Sequence, residues 1–205
     1  IVFSEHGDCA VAATFTRNVF ASPGVRYDRA VVGRGIARAI VYNSGNANAA
    51  TGEQGFRDTA AMAAGAAAKL NIDPDLVLVS STGVIGVPLD MDLITAGIEA
   101  VEVSRDGAAA AATALVTTDP FPKQAALELD LSAGKVRIGG MCKGSGMIHP
   151  DMATMLAYFT TDAAVPLEAL RELTGTVVDS TFNTISVDGD SSTNDTVVLI
   201  ANGAG

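Results

Sequence analysis

The chain has 205 residues, 48% of them hydrophobic and 18% charged, with no Trp; 23 acidic side chains outweigh 13 basic ones, for a net charge of -10. That bounds it to one compact acidic globular domain or two small ones. No apolar run approaches the roughly 20 residues of a membrane-spanning helix. Lys and Arg scattered singly through a negative chain leave no footprint for a nucleic-acid backbone or an anionic membrane.

In chain order, alternation and β-branched content predict strands over 9–17 and 37–42. A helix over 51–70 follows, which Thr51 can cap and whose Ala-rich stretch 60–68 suits close packing on a sheet. A strand over 76–80 and helices over 90–101 and 105–116 come next, then a break at Asp119-Pro120-Phe121-Pro122 that marks a candidate boundary. Strands over 124–131 and 135–139 flank a hairpin turn at Ser132-Ala133-Gly134. The pattern ends with a strand over 155–159, a helix over 166–182 and a strand over 197–201. Pro166 suits that helix's first turn, and Glu168, Arg171 and Glu172 suit its wet side. The elements interleave without a strict βαβ period or internal repeat. They predict an α/β layered sandwich with mixed sheets flanked by helices rather than a barrel.

Cys9 and Cys142 are too few and too dispersed for a disulfide framework or a zinc site, so reduced buried thiols are expected. The start, Ile1-Val2-Phe3-Ser4-Glu5-His6, has no basic region followed by an apolar one, which points to the cytoplasm. With no initiator Met and a strand-like run near each end, the chain is expected to be a piece of a longer protein.

The commonest catalytic patterns fit poorly. The two histidines are His6, in a polar stretch that suits solvent, and His149, which has no nucleophile-elbow Ser or Cys to pair with. The run from Gly139 to Gly146 looks like a phosphate loop, but its Lys and Gly stand in the wrong order and no Ser or Thr follows Lys143 directly. The run from Val187 to Asp195 has the flavour of a calcium loop, yet the sixth position from Asp188 is Thr193 instead of Gly and the twelfth is Leu199 instead of Glu, so no metal is expected. What stands out is a set of loops rich in glycine and small polar residues: 43–52, 81–83, 117–119 and 143–154. Glycines allow close backbone approach, while Asn and Thr supply neutral donors and acceptors. Such loops can build a site without histidine, or simply cap strands and helices.

The segment Lys143-Gly144-Ser145-Gly146-Met147-Ile148-His149-Pro150-Asp151-Met152-Ala153-Thr154-Met155-Leu156 resembles the autocleavage segment of the ornithine acetyltransferase family, the glutamate N-acetyltransferases of arginine biosynthesis. Further motifs resemble the family's in the family's order. They are Asn43-Ser44-Gly45-Asn46-Ala47-Asn48-Ala49 with Thr51-Gly52, Ser81-Thr82-Gly83-Val84-Ile85-Gly86, Thr117-Thr118-Asp119 with Pro122-Lys123, and Ser192-Thr193-Asn194-Asp195-Thr196. Together they cover essentially the whole chain.

The resemblance implies a precursor that cuts itself at Ala153-Thr154, giving an α chain over 1–153 and the start of a β chain over 154–205, assembled as α2β2. Thr154 is then the N-terminal nucleophile, with the Thr82 hydroxyl and Gly83 backbone N–H as oxyanion donors and with Thr117, Lys143 and Thr154 on the substrate. Thr118 rivals Thr117, and Asn194 lines the site or supports the next strand. No role is implied for His149 or Asp151, and further family residues belong nearer the C-terminus than residue 205. The implied reaction moves acetyl from N-acetylornithine to glutamate by a ping-pong acyl-enzyme and needs no cofactor, with acetyl-CoA open as a second donor. The freed α-amine, with a pKa of about 7.7 to 8.0, explains how Thr154 could dispense with histidine. The alternatives are a related N-terminal-nucleophile amidohydrolase or aminopeptidase that passes the acyl group to water, and an inactive binding module.

Overall fold

The computed structural model describes residues 1–132, 134–149 and 155–205. The elements are β1 (Val2–Phe3), β2 (Cys9–Phe15), α1 (Pro23–Arg34), β3 (Ile36–Ala37), β4 (Ala39–Asn46), α2 (Gly52–Leu70), β5 (Val77–Val84), α3 (Met91–Ala100), α4 (Ala108–Leu115), β6 (Lys123–Leu131), β7 (Gly134–Lys143), β8 (Leu156–Thr161), α5 (Leu167–Ser180) and β9 (Thr196–Ala201). They form a three-stranded sheet in the order β1-β4-β5 and a six-stranded sheet in the order β3-β2-β9-β8-β7-β6. Both sheets are mixed: β4 and β5 run parallel, as do β8 and β9, and the other pairs are antiparallel.

Side-chain alternation explains the layering. Ile40 and Leu78 turn inward from the small sheet to meet Val11, Leu156, Tyr158 and Val198 of the large one, forming the core between the sheets. Their neighbours Ala39, Val41, Val77 and Val79 face the other way, onto Met62, Ala63, Ala66 and Ala67 of α2 and Ile98 of α3. Ala12 and Ala201, on the outer face of the large sheet, meet Leu170 of α5. The result is a helix, sheet, sheet, helix sandwich. The central strands read as nearly continuous apolar runs because both faces are buried. Tyr42 and Tyr158 stack across the core with ring centroids 5.4 Å apart.

Several expected elements shift. Helix α1 has no counterpart among them, although its ends carry clear signals. Ser22 caps it by accepting the Val25 N–H at 3.3 Å, Pro23 opens it, and Gly35 closes it at φ +80. Its buried Asp28 accepts the Val79 N–H at 2.8 Å, satisfying an amide of the edge strand β5. The Thr51 hydroxyl does not cap α2 but donates to Asn48 Oδ1 at 2.8 Å, because Asn48 is itself buried against that helix. Strand β5 runs past Ser80 to Val84, since its polar end stays in register with Asn43 to Asn46 of β4. Asp119–Pro122 is the turn from α4 into β6 and not a gap between cores: Leu115 before it and Met141 after it share the central core. Leu131 stands opposite Gly134, so the chain reverses at the expected hairpin, whose Ala133 lies outside the described residues. Cys9 and Cys142 are free thiols, the first buried and the second half-buried.

Candidate active site

The carboxyl ends of the parallel strands β4 and β5 open onto a cleft of about 710 Å³, the place where parallel pairs offer unpaired backbone and polar residues to ligands. Ser44 and Gly45 come from β4, and Thr82 and Gly83 from β5. This wall is set by backbone geometry. Gly83 has φ +130, and a Cβ there would lie 2.1 Å from the Gly45 carbonyl oxygen, so glycine alone fits. Asn194 clamps the wall from behind: its side-chain amide donates to the Ala47 carbonyl at 2.6 Å and to the Ser81 carbonyl at 2.9 Å. Asn194 therefore lines the cleft and ties the chain just after β4 to strand β5.

Opposite lie Thr117 and Thr118, which leave α4, and Lys143, the last residue of β7. Lys143 is only 6% exposed and donates to Thr117 Oγ1 at 3.3 Å. Burial lowers its pKa, opposed by the negative charges of Asp119 and Asp195 and reinforced by Lys123. Thr118 is turned instead to Ser145, with the two hydroxyls 2.7 Å apart. Behind Lys143 the turn is anchored by Asp119, whose Oδ1 accepts the Gly144 N–H at 2.8 Å and pairs with Lys123. Burial on its own would raise the Asp119 pKa, but the bonds from Lys123 and Gly144 hold it below the usual carboxylate range.

Thr82, Gly83, Thr117 and Lys143, which are scattered through the sequence, thus line one cleft. Ala153 and Thr154 lie outside the described residues, but both flanks of that segment are described. Lys143 pairs with Leu156, and Leu156 pairs with Thr196. The Met155 N–H donates to Asp195 Oδ1 at 3.0 Å, and the Met155 carbonyl accepts the Thr196 N–H at 2.9 Å. Asp195 is 1% exposed; burial pushes its pKa up to about 7 despite hydrogen bonds from Met155 and Ser192 and the Lys143 charge. On the other flank Ile148 and Val187 exchange two backbone hydrogen bonds, at 2.8 and 2.7 Å.

Neither histidine lines the cleft; both are exposed. Among the described residues no three His, Cys, Asp or Glu side chains group as metal ligands would. Asp188, the residue from which the calcium-like positions are counted, accepts the Met147 N–H at 2.9 Å. The arrangement offers a neutral, backbone-rich wall suited to a polarised carbonyl, facing a buried cation suited to a carboxylate. Reading the residues alone missed Gly45, Asp119 with Lys123, and Asp195. Gly45 lies beyond the strand predicted over 37–42, and only the extension of β4 to Asn46 makes it a strand glycine that marks close backbone approach.

The ArgJ family model matches residues 1–205. Among curated proteins, the chain is 55% identical over 197 residues to the arginine biosynthesis bifunctional protein ArgJ of Symbiobacterium thermophilum, covering 95% of this chain and 49% of that protein. It is 50% identical over 196 residues to the protein of the same name from Thermus thermophilus, covering 95% and 50%. Among solved structures, the ornithine acetyltransferase of Mycobacterium tuberculosis complexed with ornithine is 38% identical with a TM-score of 0.66, covering 75% of this chain and 81% of that one. The ArgJ protein of Bacillus halodurans is 36% identical with a TM-score of 0.64, covering 72% and 75%. The chain spans about half the length of the curated relatives it matches.

Proposed function

The chain belongs to the ArgJ family, and on that premise we propose that it forms part of a cytoplasmic glutamate N-acetyltransferase that moves acetyl from N-acetylornithine to glutamate. The observation that carries the reading is the convergence of Thr82, Gly83, Thr117 and Lys143 on a single cleft. Among the described residues no helix is long and apolar enough to cross a membrane.

The chemistry begins with self-cleavage. The Thr154 hydroxyl attacks the Ala153 carbonyl, the peptide nitrogen leaves as the Thr154 amine, and water hydrolyses the resulting ester to free the Ala153 carboxylate and the hydroxyl. The new α-amine, with a reference pKa of about 7.7 to 8.0, can take the hydroxyl proton near neutral pH. Thr154 Oγ then attacks the acetyl carbonyl of N-acetylornithine. The Thr82 hydroxyl and the Gly83 N–H are the donors for the tetrahedral oxyanion, each such donor being worth about 2.7 to 4 kcal/mol in known cases. Ornithine leaves with a proton, and the glutamate amine takes the acetyl from the ester. Lys143 recognises the α-carboxylate that both substrates share, and Thr117 orients Lys143. The chemistry requires no cofactor, and acetyl-CoA would enter only as an alternative donor to the same hydroxyl. The two cleavage products stay together, as α and β chains of an α2β2 assembly.

Denaturing electrophoresis and intact mass of the full-length protein test this. Two chains are expected, with the second beginning at Thr154, and Thr154→Ala should leave one. An uncleaved wild type would refute the mechanism. Acetate released at the same rate with and without glutamate would replace acetyl transfer by hydrolysis.

A further inference from the structure

One loop holds both ends of the segment proposed to cleave itself. Before the segment, Ile148 exchanges its backbone hydrogen bonds with Val187, and the Met147 N–H donates to Asp188. After it, Met155 donates to Asp195 and accepts from Thr196. Residues 187–196 therefore grip the chain on either side, and the same loop sends Ser192, Thr193 and Asn194 to the cleft. The Asp188 backbone takes a left-handed φ of +58, a conformation that a non-glycine residue adopts at a cost and that the surrounding bonds must maintain.

Asp195 is the critical contact. The Met155 nitrogen is covalently bonded to the Thr154 carbonyl carbon, so a hydrogen bond to it fixes the last described atom next to the proposed nucleophile. The carboxyl group is buried, its Oδ1 accepts that amide, and among the described residues its Oδ2 has no hydrogen-bond partner. Among the described residues, the charge that acts on it is that of Lys143, on the far side of Leu156. Together Lys143 and Asp195 flank the first residues after Thr154.

We infer that Asp195 is a positioning residue for self-cleavage and acetyl transfer: it holds the Met155 amide, the peptide nitrogen joined to the proposed nucleophilic residue, with Asp188 steadying the opposite flank. The inference rests on the proposed role of Thr154. What it requires of residue 195 is a hydrogen-bond acceptor at Oδ1, not a charge. Asn supplies that acceptor and Ala does not.

The test uses the full-length precursor, following cleavage by electrophoresis over time and checking folding by circular dichroism and thermal melting. Asp195→Ala is expected to slow the first-order cleavage at least 10-fold, and Asp195→Asn to remain within about threefold of wild type. In processed enzyme, Asp195→Ala should lower kcat with KM for N-acetylornithine changed less than twofold, a split that general loosening of the fold would not give. A folded Asp195→Ala precursor that cleaves like wild type, or an Asp195→Asn precursor as slow as the Ala variant, overturns the inference. Should Asp195→Ala fail to fold, the Asn variant decides alone: cleavage within threefold supports the acceptor role, and a 10-fold loss overturns it. If wild type itself does not cleave, the underlying function fails instead, and the two failures are distinguishable.

Discussion

The two walls of the cleft are built on opposite principles. The β4–β5 wall is neutral: Gly83 approaches Gly45 so closely that no Cβ fits, and the Asn194 carboxamide ties the strand end to Ala47. Its precision comes from backbone register and costs no charge burial. The wall formed by β7 and residues 117–119 is electrostatic. It buries the Lys143 ammonium against a long contact to Thr117 and steadies its turn with the Asp119–Lys123 pair. Precision there is obtained against the desolvation of charge. The first wall should therefore fail on steric change and ignore pH, and the second should tolerate volume-conserving change but lose recognition when its charge is removed.

The largest expected effect is on the neutral wall. Gly83→Ala must relieve both φ +130 and a Cβ placed 2.1 Å from a backbone oxygen, and should cost roughly 3 to 5 kcal/mol of stability together with self-cleavage. Denaturant unfolding measures it; a loss below about 1 kcal/mol would show that β5 can part from β4 cheaply. Lys143→Met should behave in the opposite way. Its stability should hold or rise, because a desolvated ammonium disappears while the stem volume remains. KM for N-acetylornithine should climb about 10- to 150-fold, the equivalent of about 1.5 to 3 kcal/mol for a hydrogen bond to a charge. If Lys143→Met instead unfolds the protein, the charge is structural.

A pH titration of stability separates the charged groups from both walls. The folded pKa of Asp195 is raised to about 7 from an ordinary 3.8, so the native state holds a proton that the unfolded chain has released. Its contribution is fully present below the unfolded value and is lost as pH rises through about 7, at a slope of at most about 1.4 kcal/mol per pH unit. Buried Asp28, also raised by desolvation, adds a contribution of the same sign. Unfolding free energies at pH 5 to 8, in steps of about one unit, should flatten in Asp195→Asn relative to wild type. Parallel curves would remove the titration from Asp195. Asp119 has the opposite sign: its lowered pKa stabilises above the unfolded value and is lost only as pH falls below the usual carboxylate range.

What could be read from the sequence follows from how each region is stabilised. Strands buried on both faces, such as β5 and β9, and the Ala-rich α2 announce themselves through apolar runs and periodicity. Helix α1 does not, because its buried set includes Pro23, Gly24 and Asp28, and only its end signals at Ser22 and Gly35 betray it. The last residues of β5 look like a loop in composition, yet they stay paired because β4 supplies an equally polar partner. At the cleft, Thr82, Gly83, Thr117 and Lys143 were legible only through motif resemblance; composition and spacing suggested glycine-rich loops and no more. The grip of Asp195 on Met155 was out of reach, since its partner is a backbone amide 40 residues earlier in the chain.

The finest prediction concerns two adjacent threonines of the electrostatic wall. Thr117 accepts from Lys143 at 3.3 Å, longer than the 2.7 to 2.9 Å of a strong charge-assisted bond, so the contact orients the ammonium more than it stabilises it. Thr118 faces Ser145, and both residues of that pair meet solvent or the cleft edge. Losing an exposed neutral bond should cost under about 1 kcal/mol and none of the recognition. Thr117→Ala should therefore raise KM for N-acetylornithine by about three- to fivefold, with Thr117→Ser restoring it. Thr118→Ala should stay within about twofold. Neither should move the denaturant midpoint appreciably, because both side chains leave α4 after its last buried residue, Leu115. If Thr118→Ala carries the larger KM change, the ammonium is oriented from the Ser145 side. The electrostatic wall would then begin at the Gly144 turn and not at the end of α4.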